Sequence, residues 1–157
     1  TVKLLVGDAQ QQEEFIVHEH IITTRSKFFE AALKDAWKEA EERVIKLPED
    51  DPEVVLQYVR LLYGQNMSFK VAPDSKFAST VQAAFFSKSE LLCKLYVFGE
   101  KMQDLRLKNT AMEAMHATWT PKQSDGSIQT PGFSSVGVIY EGTPGPCPPR
   151  RLLVQLY

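Results

Sequence analysis

The chain has 157 residues, of which 43% are hydrophobic and 24% are charged, and its formal net charge at pH 7 is −2. This length suits one domain with its own hydrophobic core, and the composition is that of an ordinary globular protein. The charges are interspersed and form no basic stripe for phosphates, so we expect no nucleic-acid binding. The longest apolar runs are too short to span a bilayer, and no secretory signal opens the chain. We therefore expect no membrane association.

The chain contains only two cysteines. Cys93 lies within a helical apolar pattern, and Cys147 lies within a cluster of prolines. Two unpaired thiols in a domain that has its own core are typical of a reducing compartment. The sequence therefore predicts an intracellular location, in the cytoplasm, the nucleus or both.

The first part of the chain predicts alternating strands and helices. Residues 2–6 and 15–17 are short β-prone runs separated by a polar stretch, as in a hairpin with a long connection. Ser26 is a suitable N-cap for a helix whose apolar residues recur at helical spacing as far as Trp37. Residues 44–47 then predict a third strand.

The clearest helix start lies at Asp51. Asp51 is placed as the N-cap and Pro52 as the first helical residue, while Glu53 falls in the first turn, where the helix dipole favours an anion. The helix is expected to end near Tyr63 and Gly64. The predicted order of elements is strand, strand, helix, strand, helix. This order indicates a domain that mixes α and β structure.

Residues 64–88 predict an insertion-like connection. Within it Met67, Phe69 and Val71 alternate with polar residues, as in an edge strand. Residues 73–85, which follow, have the character of an insertion, and no element is predicted there.

A second helix start is predicted near residue 87. Ser87 and Glu90 have the spacing of a capping box, and Phe86 and Leu91 are placed as its hydrophobic staple. The helix is expected to run to Met102, and another helical stretch follows Asp104. Residues 118–133 are rich in Pro, Gly, Ser, Thr and Gln, which predicts a loop, and two short helices are expected near the end of the chain.

A set of short motifs in the first 63 residues resembles the BTB/POZ domain. In that family a strand hairpin leads to a Val-His helix start, then to Ser-x-Phe-Phe and to a Tyr that closes a later helix. The matching residues here are His18, Ser26, Phe28, Phe29 and Tyr63. The resemblance implies an α+β fold, a helical core capped by a short mixed sheet, with extra C-terminal helices. It places the domain at 1–116 and a loop with a short helical extension at 117–157.

Several further segments are similar to BTB proteins of the fungal type. The similarity departs in residues 64–88, where the connection is longer. The similar segments are residues 37–40, 47–51, 95–101, 139–143 and 150–154.

The resemblance implies a protein that acts by binding other proteins. BTB domains commonly dimerise, and many are adaptors that dock a cullin scaffold and so bring targets to a ubiquitin ligase. In such adaptors a hydrophobic residue, any residue and then Glu follow the Ser-x-Phe-Phe helix, and Trp37, Lys38 and Glu39 occupy the matching positions. An exposed Trp is a good interface anchor. Trp37 equally continues the apolar stripe of the helix, so a core role is the alternative.

A second interpretation of the whole chain is a structural or transcription-associated oligomerisation domain that has no link to ubiquitin. The usual BTB dimer draws on its N-terminal region, whereas this chain begins almost at its first predicted strand. We therefore expect weak self-association or a monomer.

No catalytic, cofactor or metal site is predicted. His18 and His20 are adjacent to Glu19, but side chains two apart at a helix start point in different directions, and no Cys or third His is near. The resemblance gives His18 a structural role at the helix entry instead. Cys93 lies among core residues, which favours an inert thiol. The glycines are scattered and form no phosphate loop. From these observations together we expect no enzyme, no cofactor and no small-molecule substrate.

Overall fold

The structure is a computed structural model, and it describes residues 1–34, 42–69 and 81–157. The chain divides into two compact units. The first unit comprises residues 1–67 and 101–106, and the second comprises residues 68–100 and 107–157.

A three-stranded mixed sheet forms one layer of the first unit. Its strands are β1 (Val2–Val6), β2 (Glu13–Val17) and β3 (Val44–Leu47), in the order β2-β1-β3. β1 runs antiparallel to β2 and parallel to β3. The predicted hairpin and third strand are confirmed, and β2 begins two residues earlier than the apolar run. Gly7 follows β1 with a φ of 93°, where a Cβ would lie 2.8 Å from the Gln11 carbonyl oxygen.

Three described helices accompany the sheet in the first unit. They are α1 (Glu19–Arg25), α2 (Lys27–Ala32) and α3 (Pro52–Leu62). Ser26 caps α2 and Asp51 caps α3, as predicted, because each side chain accepts a hydrogen bond from a backbone N–H in the first turn. The extended backbone of Ser26 separates α1 from α2.

The second unit is helical in its described residues. Helices α4 (Val81–Met102) and α5 (Leu105–Trp119) lie in it except at the ends nearest residues 101–106. The two short helices expected near the end of the chain are present as α6 (Phe133–Gly142) and α7 (Pro148–Leu156). The sheet and helices together confirm the predicted α+β class.

The predicted helix start at Ser87 is wrong. Helix α4 begins at Val81 and passes through Ser87 without interruption, so residues 81–88 are helical and do not belong to a connection. Instead of reaching back to a helix start, the Glu90 carboxylate accepts a hydrogen bond from Ser134 at 2.7 Å and pairs with Lys94 at 3.0 Å. Ser and Glu three residues apart are also neighbours within a running helix, so their spacing does not by itself mark an end.

The predicted edge strand is wrong at Met67 and Phe69, which have no regular secondary structure, while Val71 lies outside the described residues. Alternation alone does not form a strand, because the backbone also needs a neighbouring strand to bond with. Trp119, placed by the sequence in a loop, ends α5 and is fully buried. Its indole N–H donates to the Ser89 hydroxyl at 2.9 Å.

Candidate functional site

The predicted docking residues Trp37, Lys38 and Glu39 lie outside the described residues. The structure describes the elements on either side of them. Helix α2 ends before Leu33, which is buried, and Lys34 forms an exposed ion pair with Glu30 at 2.7 Å. On the other side, β3 begins at Val44 and forms one edge of the sheet.

His18 and Tyr63 are brought together by the fold. The His18 backbone N–H donates to the Tyr63 hydroxyl oxygen at 3.0 Å, and Nδ1 of His18 lies 2.7 Å from the same oxygen. Since this oxygen accepts from the backbone, its own hydrogen is available to Nδ1. The two rings meet edge to face, with centroids 5.9 Å apart. This contact joins the entry of α1 to the C-terminal end of α3.

Ser26, Phe28 and Phe29 form a second group at the start of α2. The buried Ser26 hydroxyl accepts from the Phe29 N–H at 3.2 Å and donates to the Met102 carbonyl at 2.5 Å. Phe29 is fully buried, and its ring lies 5.2 Å from that of Phe28 and 6.5 Å from that of Tyr58, between centroids. Ser26 and Phe29 therefore hold α2 against the core, while Phe28 is half-buried.

A buried polar network, which the sequence did not predict, lies in the same unit. The guanidinium of Arg25 pairs with the Asp104 carboxylate at 3.2 Å, and the Tyr58 hydroxyl donates to that carboxylate at 3.1 Å. Burial, together with the negative charge of Asp104, raises the pKa of Tyr58 far above its ordinary value. The phenol therefore stays protonated and serves as a hydrogen-bond donor. The three residues are far apart in the sequence and share no motif that could have identified them.

The His18-Glu19-His20 segment does not gather metal ligands. Glu19 pairs with Arg43 at 2.7 Å, and His18 contacts Tyr63. In the part of the chain that the structure describes, no three His, Cys, Asp or Glu side chains lie close enough together to hold a metal ion.

Both cysteines are free and buried. Burial raises the pKa of Cys93 to about 12, although a hydrogen bond with Ser135 opposes the shift. A thiol with this pKa carries almost no thiolate at neutral pH, so it is poorly suited to act as a nucleophile.

Comparison with known proteins identifies the family. Over residues 1–96 the chain matches the family model of the BTB/POZ domain, which covers both the sheet and the signature residues His18, Ser26 and Tyr63. No curated protein matches the chain. Across the described residues, no helix combines the length and the apolar character needed to cross a membrane. BTB/POZ domains are protein-interaction modules that bind other proteins and self-associate. With the family model matching more than half of its length, the chain belongs to the BTB/POZ domain family.

Proposed function

We propose that this chain is an intracellular adaptor domain that docks a cullin scaffold through Trp37 and Glu39. The position of these residues carries the proposal. They follow a helix that begins at Ser26 and carries Phe28 and Phe29, the place where cullin-docking members of the family have a hydrophobic residue, any residue and then Glu.

The neighbouring structure is compatible with a docking segment at this place. Leu33, the last described apolar residue before it, is already buried, while Lys34 and Glu30 are exposed and pair with each other. The last described residues before the segment therefore include a solvated ion pair. An exposed Trp would supply the buried contact area, and the Glu would orient the partner at the rim.

No nucleic acid, cofactor or small-molecule substrate belongs to this proposal. The two free cysteines support an intracellular location, in the cytoplasm, the nucleus or both. The chain would contribute surface rather than catalysis. Burial raises the pKa values of Tyr58 and Cys93 strongly, so both groups stay neutral and inaccessible.

The proposal is tested by titrating a purified cullin N-terminal region with this chain and its variants in a calorimeter. Trp37→Ala should weaken binding at least tenfold, because truncating a central anchor typically costs about 2 kcal/mol or more. Glu39→Ala should weaken it less, because a charge at the rim of an interface contributes mainly to orientation and association rate. Lys38→Ala is the matched control and should bind like the wild type, since the middle residue is not specified. Circular dichroism establishes that each variant is folded.

Two results would contradict the proposal. One is the absence of cullin binding by the wild-type chain under conditions in which a known adaptor binds. The other is equal affinity of the wild type and the folded Trp37→Ala and Glu39→Ala variants. The first result would favour the alternative, an oligomerisation domain unrelated to ubiquitin.

A further inference from the structure

One face of helix α4 lines an open groove in the second unit. The groove has a volume of about 450 Å³. The residues that α4 contributes recur at helical spacing and so lie on one face of the helix. They are Val81, Ala84, Phe85, Lys88 and Leu91. The rest of the described lining consists of Phe69, Ser87, Thr118 and Gln129.

The apolar side chains of this face remain accessible to solvent among the residues that the structure describes. Val81 is 87% exposed, and Phe85 and Leu91 are half-buried. From Val81 to Leu91 the face extends over about 15 Å along the helix axis. The apolar stripe of a helix normally packs against a core. A stripe that stays accessible over this length is typical of a surface that binds a partner.

Lys88 is the one charged side chain among the described residues that line the groove. Its ammonium lies 5.0 Å from the centroid of the Phe69 ring, and the negative face of the ring holds it at the groove. In the described part of the chain the ammonium pairs with no carboxylate. The nearest acidic residue along α4 is Glu90, which is occupied by Lys94 and Ser134. The groove therefore presents a cation without a counter-charge in an apolar lining.

We propose that this groove binds a short segment of a partner protein that carries large apolar side chains and at least one Asp or Glu. The apolar side chains of the segment pack against Val81, Phe85 and Leu91 and remove them from water. Its carboxylate pairs with the Lys88 ammonium. Since Lys88 lies between Phe85 and Leu91 along the helix, the acidic residue of the segment has apolar residues on both sides.

The charge of Lys88 selects this occupant. A wholly apolar segment would remove the ammonium from water without a counter-charge, which is costly, and a basic segment would be repelled. The same groove of a second copy is excluded as well, because it would bring two Lys88 side chains together. Small-molecule sites enclose most of the ligand surface, whereas this groove is open along its length and suits a chain segment.

The groove is a different place from the proposed cullin-docking residues. The match to the family model ends at residue 96, whereas Thr118 and Gln129 lie beyond it, so the groove is not a property of the matched domain alone. Binding of the segment does not depend on cullin. In an adaptor the segment would belong to the protein that is brought to the ligase, and only this last step rests on the proposed function. Lys88→Glu should leave cullin binding in the calorimeter unchanged, so the two proposals fail separately.

The test is selection from a random-sequence peptide library displayed on phage, with the wild-type chain and with Lys88→Glu. The wild type should enrich peptides that combine large apolar residues with Asp or Glu, whereas Lys88→Glu should enrich peptides with Lys or Arg instead. The most strongly enriched acidic peptide, made synthetically, should bind Lys88→Glu at least about tenfold more weakly in fluorescence anisotropy. Arg151→Glu is the matched control, since it makes the same change of charge at an exposed residue of α7 that does not line the groove. It should bind the peptide like the wild type.

A second pair of variants tests the apolar part of the groove. Ala84→Gln keeps a good helix former but adds a polar side chain to the lining, so it should weaken binding of the same peptide severalfold. Ala117→Gln makes the same substitution at an exposed residue of α5 that does not line the groove, and it should have no effect. Circular dichroism checks that every variant is folded. The proposal is overturned if the wild type enriches no peptide, if the enriched peptides lack acidic residues, or if either groove variant binds the peptide as well as its control.

Discussion

Asp104 illustrates how single residues stabilise the first unit. Its side chain is almost completely buried, and its carboxylate interacts with Arg25 at the end of α1 and with Tyr58 in α3. Removing a carboxylate from water is costly unless a cation and hydrogen bonds compensate for it. The side chain of Arg25 is only 13% exposed, so its charge also depends on this contact. One carboxylate thus connects two helices to the segment between α4 and α5.

Replacing Asp104 with Asn should therefore destabilise the protein strongly. The substitution keeps the shape but leaves the Arg25 guanidinium without its counter-charge, at a cost of about 3 kcal/mol in the free energy of unfolding. Urea unfolding followed by circular dichroism measures this quantity. The matched control is Glu30→Gln, which removes a carboxylate from an exposed ion pair with Lys34 and should change stability little. If Asp104→Asn and Glu30→Gln lower the free energy of unfolding equally, the buried ion pair of Asp104 contributes no more to stability than an exposed one.

At the level of elements, glycine allows two helices of the second unit to approach each other closely. A Cβ on Gly142, at the end of α6, would lie 2.5 Å from both methyl carbons of Val97 in α4. Such a distance is far below van der Waals contact, so no side chain fits there without movement. At Gly137, within the same helix, no atom of the described residues outside that helix's own backbone lies within 4 Å of the equivalent position. The two glycines therefore differ in packing although both belong to α6.

Substitution by Ala should accordingly have opposite effects at these two glycines. Gly142→Ala should lower the free energy of unfolding by about 1–3 kcal/mol because of overpacking. Gly137→Ala should raise it by about 0.5–1 kcal/mol, since Ala is the better helix former. Adding Val97→Ala to Gly142→Ala should recover part of the loss, and a double-mutant cycle in urea measures that coupling. If the effects of Gly142→Ala and Val97→Ala on the free energy of unfolding simply add, there is no steric contact between the two side chains.

At the level of the whole molecule, the fold is held without covalent cross-links. Cys93 and Cys147 are the only cysteines of the chain, and both are free and buried. The pKa of Cys93 is raised from its ordinary 9.0 to about 12 by burial. A raised pKa means that burial of the neutral thiol contributes stability below pH 9, and that this contribution is lost as the pH rises towards 12.

Thiol labelling should follow the unfolding of the protein rather than the intrinsic reactivity of its thiols. In a Cys147→Ser variant at pH 8, an aromatic disulfide reagent should react with Cys93 only slowly, because reaction requires both exposure and thiolate. Denaturant should make the same thiol react within the mixing time. A reductant should leave the thermal midpoint of the wild type unchanged. Fast, complete labelling of the native variant would show that Cys93 is accessible.

Local signals in the sequence predicted those elements whose causes are local. Asp51 and Pro52 mark the start of α3 because a cap and a fixed φ act within one turn. The β-prone runs predicted all three strands. Ser87 and Glu90 gave a wrong helix start because a local spacing was the only signal used. The same spacing is common inside a helix, and the residues before Ser87 already belong to α4.

At the candidate site, too, some features could be predicted from the sequence and others could not. The family resemblance rests on short motifs around His18, Ser26 and Tyr63, which the sequence contains in order. The contact between His18 and Tyr63 spans 45 residues and depends on how α1 and α3 pack. Trp37, Lys38 and Glu39 were predicted from the resemblance, and their role as a docking site stays a prediction.

Residue types at short spacings were enough to predict the class of the fold, the three described strands, several of the helices and the resemblance to an interaction family. The remaining features depend on packing between distant parts of the chain. Arg25 and Asp104 lie 79 residues apart, so only packing could pair them. Strand register places Glu14, Leu5 and Lys46 side by side across the sheet. Register and burial depend on the whole chain, whereas spacing depends only on neighbours.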